Sequence, residues 1–155
     1  MLIEEFKIRE MTDEDIDAIL LIEKDSFKSP WNRNHFLFEI KSNSLSINGV
    51  GLLNNAVIGY VMAWTIMNEL HINNIAVRKD LRERGFGTQL LSWILKKGME
   101  KRIECAMLEV RENNISAINL YKKLGFIECG RRKKYYADDG SDAILFYKDI
   151  KVDKI

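Results

Sequence analysis

The sequence predicts a mixed α/β fold in which one sheet carries helices on both faces. Short apolar or alternating segments alternate with segments whose apolar residues recur every three to four positions, in the order β-α-α-β-β-β-α-β-α-β-β. The 155-residue chain contains one proline and no low-complexity linker. Residues 1–155 are therefore expected to form a single domain.

The composition is that of an ordinary globular protein. Hydrophobic residues make up 46% of the chain and charged residues 30%, and a net charge of +1 gives no general attraction to nucleic acid or membranes. The two cysteines lack the paired spacing of a metal site, and no apolar run approaches the roughly 20 residues that a membrane span needs. The N-terminus has no signal-peptide character. We expect a cytoplasmic monomer or weak dimer with no metal, no membrane contact and no direct contact with nucleic acid.

The first elements follow from alternation and capping. Residues 6–9 alternate as a strand. Thr12 is expected to cap the next helix, because the three acidic residues after it favour the positive end of the helix dipole. Ser29-Pro30-Trp31 interrupts the helical period, and a second helix is predicted over residues 34–41.

A hairpin and a further strand come next. Residues 45–53 and 57–66 have strand character, and the Asn54-Asn55 pair between them tolerates the positive φ of a tight turn. Residues 70–77 form the next predicted strand, which leads into a loop that contains two glycines.

The second half alternates helix and strand. A helix follows the glycine loop, and residues 106–110 form a short apolar strand. Residues 113–126 combine a capping asparagine, a helical apolar period and a C-cap glycine. The chain is predicted to close with an antiparallel pair, residues 126–136 and 143–149, joined around an Asp138-Asp139-Gly140 turn.

The glycine loop has the chemistry of an anion site. Gly85 and Gly87 carry no Cβ, and the helix behind them points the positive end of its dipole at the loop. Arg82 and Arg84 add positive charge. A Rossmann fingerprint would need a third glycine where Leu90 stands, and a Walker A loop would need Gly-Lys-Ser/Thr. The loop therefore predicts a bound phosphate group, and the alternative is a helix with a flexible glycine start.

Two motifs resemble the GNAT superfamily of N-acetyltransferases. Residues 82–88, Arg-Glu-Arg-Gly-Phe-Gly-Thr, resemble its pyrophosphate-binding motif, and residues 117–126 resemble its helix motif Ala-x-x-Leu-Tyr-x-x-x-Gly-Phe. Within the superfamily the chain is most similar to the ribosomal-protein-alanine N-acetyltransferases (RimI type) and their archaeal and eukaryotic N-terminal acetyltransferase relatives. The segments that carry this narrower likeness are Ser29–Trp31, Asn74–Val77, Leu108–Arg111 and Arg131–Tyr136. The resemblance covers essentially the whole chain. It implies the GNAT fold, a central and mostly antiparallel sheet with helices on both faces, and acetyl-CoA as co-substrate.

The resemblance also implies a catalytic pair. RimI-type enzymes place a catalytic glutamate and tyrosine at the positions matched by Glu109 and Tyr121. A peptide α-amine has a pKa of roughly 8, so a weak base or an ordered water suffices to deprotonate it. Glu109 stands in the middle of an apolar strand, where burial is expected to raise its pKa, and Tyr121 would protonate the coenzyme A sulfur. The residues alone leave another reading open, in which Glu109 pairs with Arg111 or Arg82 and Tyr121 lines the core.

The same resemblance implies two groups of binding residues, one for coenzyme A and one for the acceptor. The residues expected to bind coenzyme A are Ile75, Ala76, Val77, Arg82, Glu83, Arg84, Gly85, Phe86, Gly87, Thr88 and Asn114. Those expected to wall the acceptor slot are Pro30, Trp31, Tyr135 and Tyr136. Asn114 has a compatible alternative role as a helix N-cap, and the aromatic residues have one as ordinary packing. His71 is left outside the catalytic set, because a lone strand histidine is more often structural. The basic run 131–134 is either a solvated edge or an attraction for an acidic peptide or ribosomal RNA.

The expected function is acetylation of a protein's N-terminal α-amine, with a ribosomal protein as the first candidate. Two alternatives stay open: acetyl transfer to a small amine, a polyamine or a lysine side chain, and a non-catalytic acyl-CoA-binding adaptor. The presence of both Glu109 and Tyr121 argues against the adaptor.

Overall fold

A computed structural model describes residues 4–151 as a seven-stranded sheet flanked by helices. The strands are β1 (Phe6–Glu10), β2 (Ser46–Leu53), β3 (Ala56–Ile66), β4 (Glu69–Val77), β5 (Cys105–Arg111), β6 (Ile127–Arg132) and β7 (Ala143–Asp149). The helices are α1 (Ile16–Ser26), α2 (Arg33–Lys41), α3 (Phe86–Glu100) and α4 (Ile115–Lys123). The predicted order of elements is confirmed. None of the helices in this part of the chain is long and apolar enough to cross a membrane.

Local turn chemistry explains where several elements begin and end. Asn54 and Asn55 both have positive φ, 50° and 70°, as the hairpin turn requires. Thr12 precedes a 3-10 turn, Asp13–Asp15, rather than the α-helix itself. β6 ends at Arg132 and not at residue 136 as predicted, because Lys134 adopts a φ of 50° and turns the chain away from β7.

The strand order β1-β2-β3-β4-β5-β7-β6 places β1 and β6 at the edges of the sheet. All neighbouring strands pair antiparallel except β4 and β5, which are parallel and are connected through α3. The β4–β5 pairing runs only from Glu69–Cys105 to Ile72–Leu108, although both strands continue beyond it. The two strands therefore diverge, and the facing backbone groups of their last residues are free to bind a ligand.

The sheet separates two apolar clusters. On one face α3 and α4 bury residues such as Leu90, Ile94 and Ile118 against the sheet. On the other face α1 and α2 bury Ile19 and Phe36. This arrangement matches the predicted mixed sheet with helices on both faces, and it fixes the helix ends that border the gap between β4 and β5.

Candidate active site

A groove of about 1240 Å³ runs along the gap between β4 and β5. Its walls come from the end of β4, the loop before α3, the start of α4, the α1–α2 loop and the β6–β7 loop. Of the catalytic and binding residues predicted from the sequence, those that line the groove are Trp31, Ile75, Ala76, Val77, Arg82, Glu83, Gly85, Gly87, Thr88, Glu109, Asn114, Tyr121, Tyr135 and Tyr136. Pro30, Arg84 and Phe86 do not line it, and neither does His71, whose Nε2 lies 2.8 Å from Glu69 Oε2.

One end of the groove is the N-terminus of α3. Gly85 stands before the first helical residue with a φ of +88°, and a Cβ placed there would meet no atom within 4 Å. The first N–H groups of a helix have no partner within it, and the positive end of the helix dipole lies at the same point. This end of the groove is open, unobstructed and suited to a phosphate group.

The two arginines of the loop have different surroundings. Arg82 borders the groove, where its guanidinium donates to the Val77 carbonyl at 3.0 Å and to Ser26 Oγ at 2.9 Å. Arg84 instead pairs with Glu4 and lies over the Phe86 ring, 5.2 Å from its centroid. Phe86 is itself buried against Phe6, so neither side chain points into the groove. Of the two loop arginines, Arg82 is therefore the one that supplies positive charge to the groove.

The expected burial of Glu109 is wrong. Its β5 neighbours Leu108 and Val110 point into the core, and the alternation of the strand turns Glu109 to the opposite, open face. Its carboxylate forms an ion pair with Arg132, with Nε and Oε1 3.1 Å apart, and not with Arg111 or Arg82. The carboxylate thus borders the groove in contact with solvent.

Tyr121 has the opposite environment. It is 6% exposed, and its ring packs against Phe126 and Phe146 at centroid distances of 6.0 Å. Burial raises the pKa of its hydroxyl well above the ordinary value, and Tyr136 adds to the effect. The phenol therefore keeps its proton at neutral pH and can donate it.

Two loops cover the other end of the groove. Tyr135 and Tyr136 lie in the β6–β7 loop, and Arg111 stacks over the Tyr136 ring at 3.9 Å. Burial raises the pKa of Tyr136, and the nearby Glu109 carboxylate adds to the effect. The loop is held by Arg111, whose guanidinium binds the Asp138 carboxylate at 2.7 and 2.8 Å.

The β6–β7 loop reaches the α1–α2 loop. Lys28 Nζ lies 2.9 Å from Asp139 Oδ2, and Ser29 Oγ lies 3.5 Å from Asp138 Oδ2. Hydrogen bonds to Ser141 and Lys28 lower the pKa of Asp139, which keeps this carboxylate ionised. The two loops therefore meet across the groove and narrow its opening.

Asn114 both caps a helix and borders the groove, as its two expected roles require. Its Oδ1 accepts a hydrogen bond from the Ala117 N–H at 3.3 Å, so it caps α4, and it also borders the groove.

Within residues 4–151, no group of three or more His, Cys, Asp or Glu side chains is arranged to hold a metal ion.

Glu23 and Asn74 also line the groove, although neither was among the site residues predicted from the sequence. Glu23 is 1% exposed and accepts a hydrogen bond from Asn74 Nδ2 at 2.8 Å. The available signal was a charged residue at an apolar position of the α1 period, since α1 also buries Ile16 and Ile19.

Together these groups place a helix N-terminus suited to an anion, unpaired strand edges, a tyrosine hydroxyl and a carboxylate in one groove.

A family model described as the acetyltransferase (GNAT) family matches residues 14–126. A Sulfurisphaera tokodaii protein named "N-alpha-acetyltransferase" is 34% identical over 154 residues, covering 91% of this chain and 91% of that protein. A "[Ribosomal protein bS18]-alanine N-acetyltransferase" from Haemophilus influenzae is 34% identical over 124 residues, covering 79% of this chain and 82% of that protein.

Solved structures have the same fold. The crystal structure of the ribosomal-protein-S18-alanine N-acetyltransferase from Escherichia coli superposes with a TM-score of 0.88 at 27% identity, and the match covers 97% of each chain. Arabidopsis thaliana NAA60 in complex with acetyl-CoA superposes with a TM-score of 0.86 at 18% identity, covering 94% of this chain and 99% of that one. The second comparison concerns the fold alone.

Proposed function

This chain belongs to the acetyltransferase (GNAT) family and is an N-acetyltransferase, and from that premise we propose that it acetylates the N-terminal α-amine of a protein. We further propose a ribosomal protein as its natural target, because several similar proteins are named for acetylating one. The observation that carries the proposal is a single groove that joins an open helix N-terminus to a slot covered by two bridged loops.

The acetyl donor in this proposal is acetyl-CoA, which carries an acetyl group on a thioester and a pyrophosphate. The residues fit such a ligand, since Gly85 leaves the α3 N-terminus clear and Arg82 lies beside it. The β4 edge beyond Ile72 adds backbone groups that β5 does not use. We assign the binding of coenzyme A to Ile75, Ala76, Val77, Arg82, Glu83, Gly85, Gly87, Thr88 and Asn114. Arg84 and Phe86 contribute through their backbone, because their side chains are directed elsewhere.

We assign the proton transfers to Glu109 and Tyr121. The Glu109 carboxylate, open to the groove, accepts a proton from the incoming α-ammonium group directly or through a water molecule. Tyr121 Oη holds a proton that burial keeps in place, and it donates this proton to a leaving thiolate. The open position of Glu109 suits it to accept a proton, and the buried position of Tyr121 suits it to hold one until the thiolate forms.

The covered slot supports a peptide N-terminus as the acceptor. Trp31 on one loop and Tyr135 and Tyr136 on the other border the slot, and the Lys28–Asp139 ion pair closes it above. An extended chain end enters such a slot more easily than a lysine on a folded surface.

The test is acetylation of a peptide library by the purified protein with acetyl-CoA, read by mass spectrometry. Acetylation at α-amines, with internal lysines untouched, is the expected result. Efficient acetylation of lysine side chains or free polyamines, with peptide N-termini unmodified, would contradict the proposed acceptor. Calorimetric binding of acetyl-CoA with no turnover on any amine would indicate an adaptor instead.

A further inference from the structure

Glu23 is a buried carboxylate in the wall of the groove. It lies on α1, is 1% exposed and accepts three hydrogen bonds. The donors are the Trp31 backbone N–H at 2.9 Å, Asn74 Nδ2 at 2.8 Å and the Tyr60 hydroxyl. Among residues 4–151 Glu23 forms no salt bridge, and His35 is a basic group near enough to offset part of the rise that burial causes in its pKa.

These donors come from three separate parts of the fold. Trp31 belongs to the loop of residues 27–32 between α1 and α2, named here the acceptor loop, and it walls the proposed peptide slot. Asn74 lies on β4 immediately before the segment 75–77 to which we assign acetyl-CoA binding. Tyr60 is a fully buried residue of β3. One carboxylate thus connects the acceptor loop to the strand that serves the acetyl donor.

Stability alone does not explain an ionisable group at this place. Burial raises the pKa of Glu23, and the hydrogen bonds from Trp31, Tyr60 and Asn74 oppose that rise. A buried charge without a counter-ion is costly, and apolar residues of similar volume often stabilise a protein equally well or better. The two carboxylate oxygens match three donors that an apolar side chain would leave unsatisfied.

We propose that Glu23 is a positioning residue that holds the acceptor loop against β4 and so sets the width of the slot for the peptide N-terminus. The inference rests on the proposed function of the groove. Glu23 touches neither reacting group in this role, since it acts through the Trp31 backbone. Loss of the carboxylate should therefore weaken acceptor binding while acetyl-CoA binding and the chemical step persist.

The principal test is Glu23→Met, which keeps the length of the side chain and removes both oxygens. We expect the KM for an acceptor peptide to rise by about 10- to 100-fold, the worth of a hydrogen bond to a charged group. The Kd for acetyl-CoA and the kcat at saturating peptide should stay within about twofold. Glu23→Gln retains one oxygen for the Trp31 N–H, and its KM should fall between those of the wild type and Glu23→Met.

Glu39 provides a matched control. It is 5% exposed on α2, and its carboxylate accepts from the Trp64 indole at 2.7 Å and Asn43 Nδ2 at 2.9 Å, yet it does not line the groove. Glu39→Met removes an equally buried, hydrogen-bonded carboxylate and should leave the peptide KM unchanged. An equal rise in KM in both variants would assign the effect to general destabilisation and overturn the proposal.

Hydrogen exchange gives a readout that does not depend on activity. The Trp31 amide should exchange slowly in the wild type and in Glu39→Met, faster in Glu23→Met, and at an intermediate rate in Glu23→Gln. If Glu23→Met fails to fold, Glu23→Gln carries both measurements. Unchanged KM and unchanged Trp31 exchange in a folded Glu23 variant would refute the anchoring role. A wild-type protein that acetylates no peptide would refute the proposed function, and the exchange experiment would still decide the anchor.

Discussion

At the scale of single residues, the proposed acid and base differ in their access to water. Tyr121 is buried among aromatic rings, whereas Glu109 faces the groove and pairs with Arg132. A buried phenol keeps its proton at neutral pH, so it still has one to give to a developing thiolate, whereas a carboxylate that faces the groove can be reached by an incoming amine. We therefore assign the role of acid to Tyr121, which lies in the core, and the role of base to Glu109, which lies on the groove.

Replacing Tyr121 by Phe should lower kcat by about 100- to 10,000-fold, the usual contribution of general acid–base catalysis. The Kd for acetyl-CoA should stay nearly constant, because the ring and its packing against Phe126 and Phe146 remain. Steady-state kinetics with calorimetry would measure both quantities. Wild-type turnover in Tyr121→Phe would return this residue to a purely structural role.

Replacing Glu109 by Gln should lower activity most at low pH. The acceptor α-amine, with a pKa of about 8, is protonated there and needs a base, whereas at high pH it is already neutral and the defect should shrink. Glu112→Gln is the control, since Glu112 pairs with Arg131 and does not line the groove. A pH–rate profile of Glu109→Gln that parallels that of Glu112→Gln would argue against a base at this position.

At the scale of elements, helix starts and loop geometry define the site. The start of α3 after Gly85 could be predicted from the sequence, because a glycine before a helical apolar period is a local signal. The sequence did not identify the end of β6 or the Glu23 network. Lys134 ends β6 through a positive φ that no motif marks, and the three donors to Glu23 come from residues far apart in the chain. Local chemistry can be predicted from spacing, whereas contacts across the fold require the tertiary structure.

Gly85→Ala should weaken acetyl-CoA binding by placing a methyl group in the open space before α3. A left-handed φ also costs a non-glycine residue roughly 1–2 kcal/mol, so part of any defect would be strain. Gly140→Ala separates the two effects, because Gly140 also has a positive φ, 70°, and an unobstructed Cβ position, but it does not line the groove. Calorimetric titration should show weaker binding in Gly85→Ala only, and equal affinities in the two variants would contradict the phosphate assignment.

Asp15→Asn should destabilise the corner between β1 and α1. The Asp15 carboxylate accepts two hydrogen bonds from Arg9 at 2.8 Å and one from the Thr12 N–H at 2.8 Å. We expect a loss of about 1–3 kcal/mol in the free energy of unfolding near neutral pH, measured by urea denaturation. Asp17→Asn is the control, because Asp17 lies two residues further on, in α1, and its side chain is 85% exposed.

The pH dependence of this effect has a definite sign. Although burial opposes ionisation of Asp15, its hydrogen bonds to Arg9 and Thr12 prevail and lower its pKa. A carboxyl with a lowered folded-state pKa contributes stability that is present above its unfolded pKa and is lost as the pH falls through the folded value. The difference between wild type and Asp15→Asn should therefore shrink below about pH 4. A difference that stays constant between pH 7 and pH 3 would contradict the ionic origin.

At the scale of the whole molecule, the short β4–β5 pairing leaves room for the groove. Alternation and capping predicted the strands, the helices and their order, so the mixed sheet could be read from the sequence. The sequence could not predict where β4 and β5 separate, because that depends on which strands become neighbours in the sheet. Their last paired residues are Ile72 and Leu108. The wrong expectation for Glu109 has a related cause, since the burial of its side chain depends on which face of β5 the rest of the fold covers.

A ligand that bridges this gap should stabilise the entire fold. Acetyl-CoA at about 100 times its Kd should add about 2.7 kcal/mol to the free energy of unfolding, provided that the unfolded chain does not bind it. Thermal unfolding with and without acetyl-CoA would measure this, and Gly85→Ala should show a smaller shift at the same concentration. An unchanged melting temperature at saturating acetyl-CoA would contradict the cofactor proposal.

The position of β6 at the edge of the sheet bears on the solubility of the folded chain. An edge strand exposes unpaired N–H and C=O groups, which invite pairing with a second molecule and aggregation. Arg131 and Arg132 lie on this strand, and Arg131 contacts Glu112, Glu128 and Asp142. A second β6 brought alongside would place like charges together and would compete with these ion pairs. Repulsion between like charges at Arg131 and Arg132 should therefore disfavour the pairing of one β6 with another.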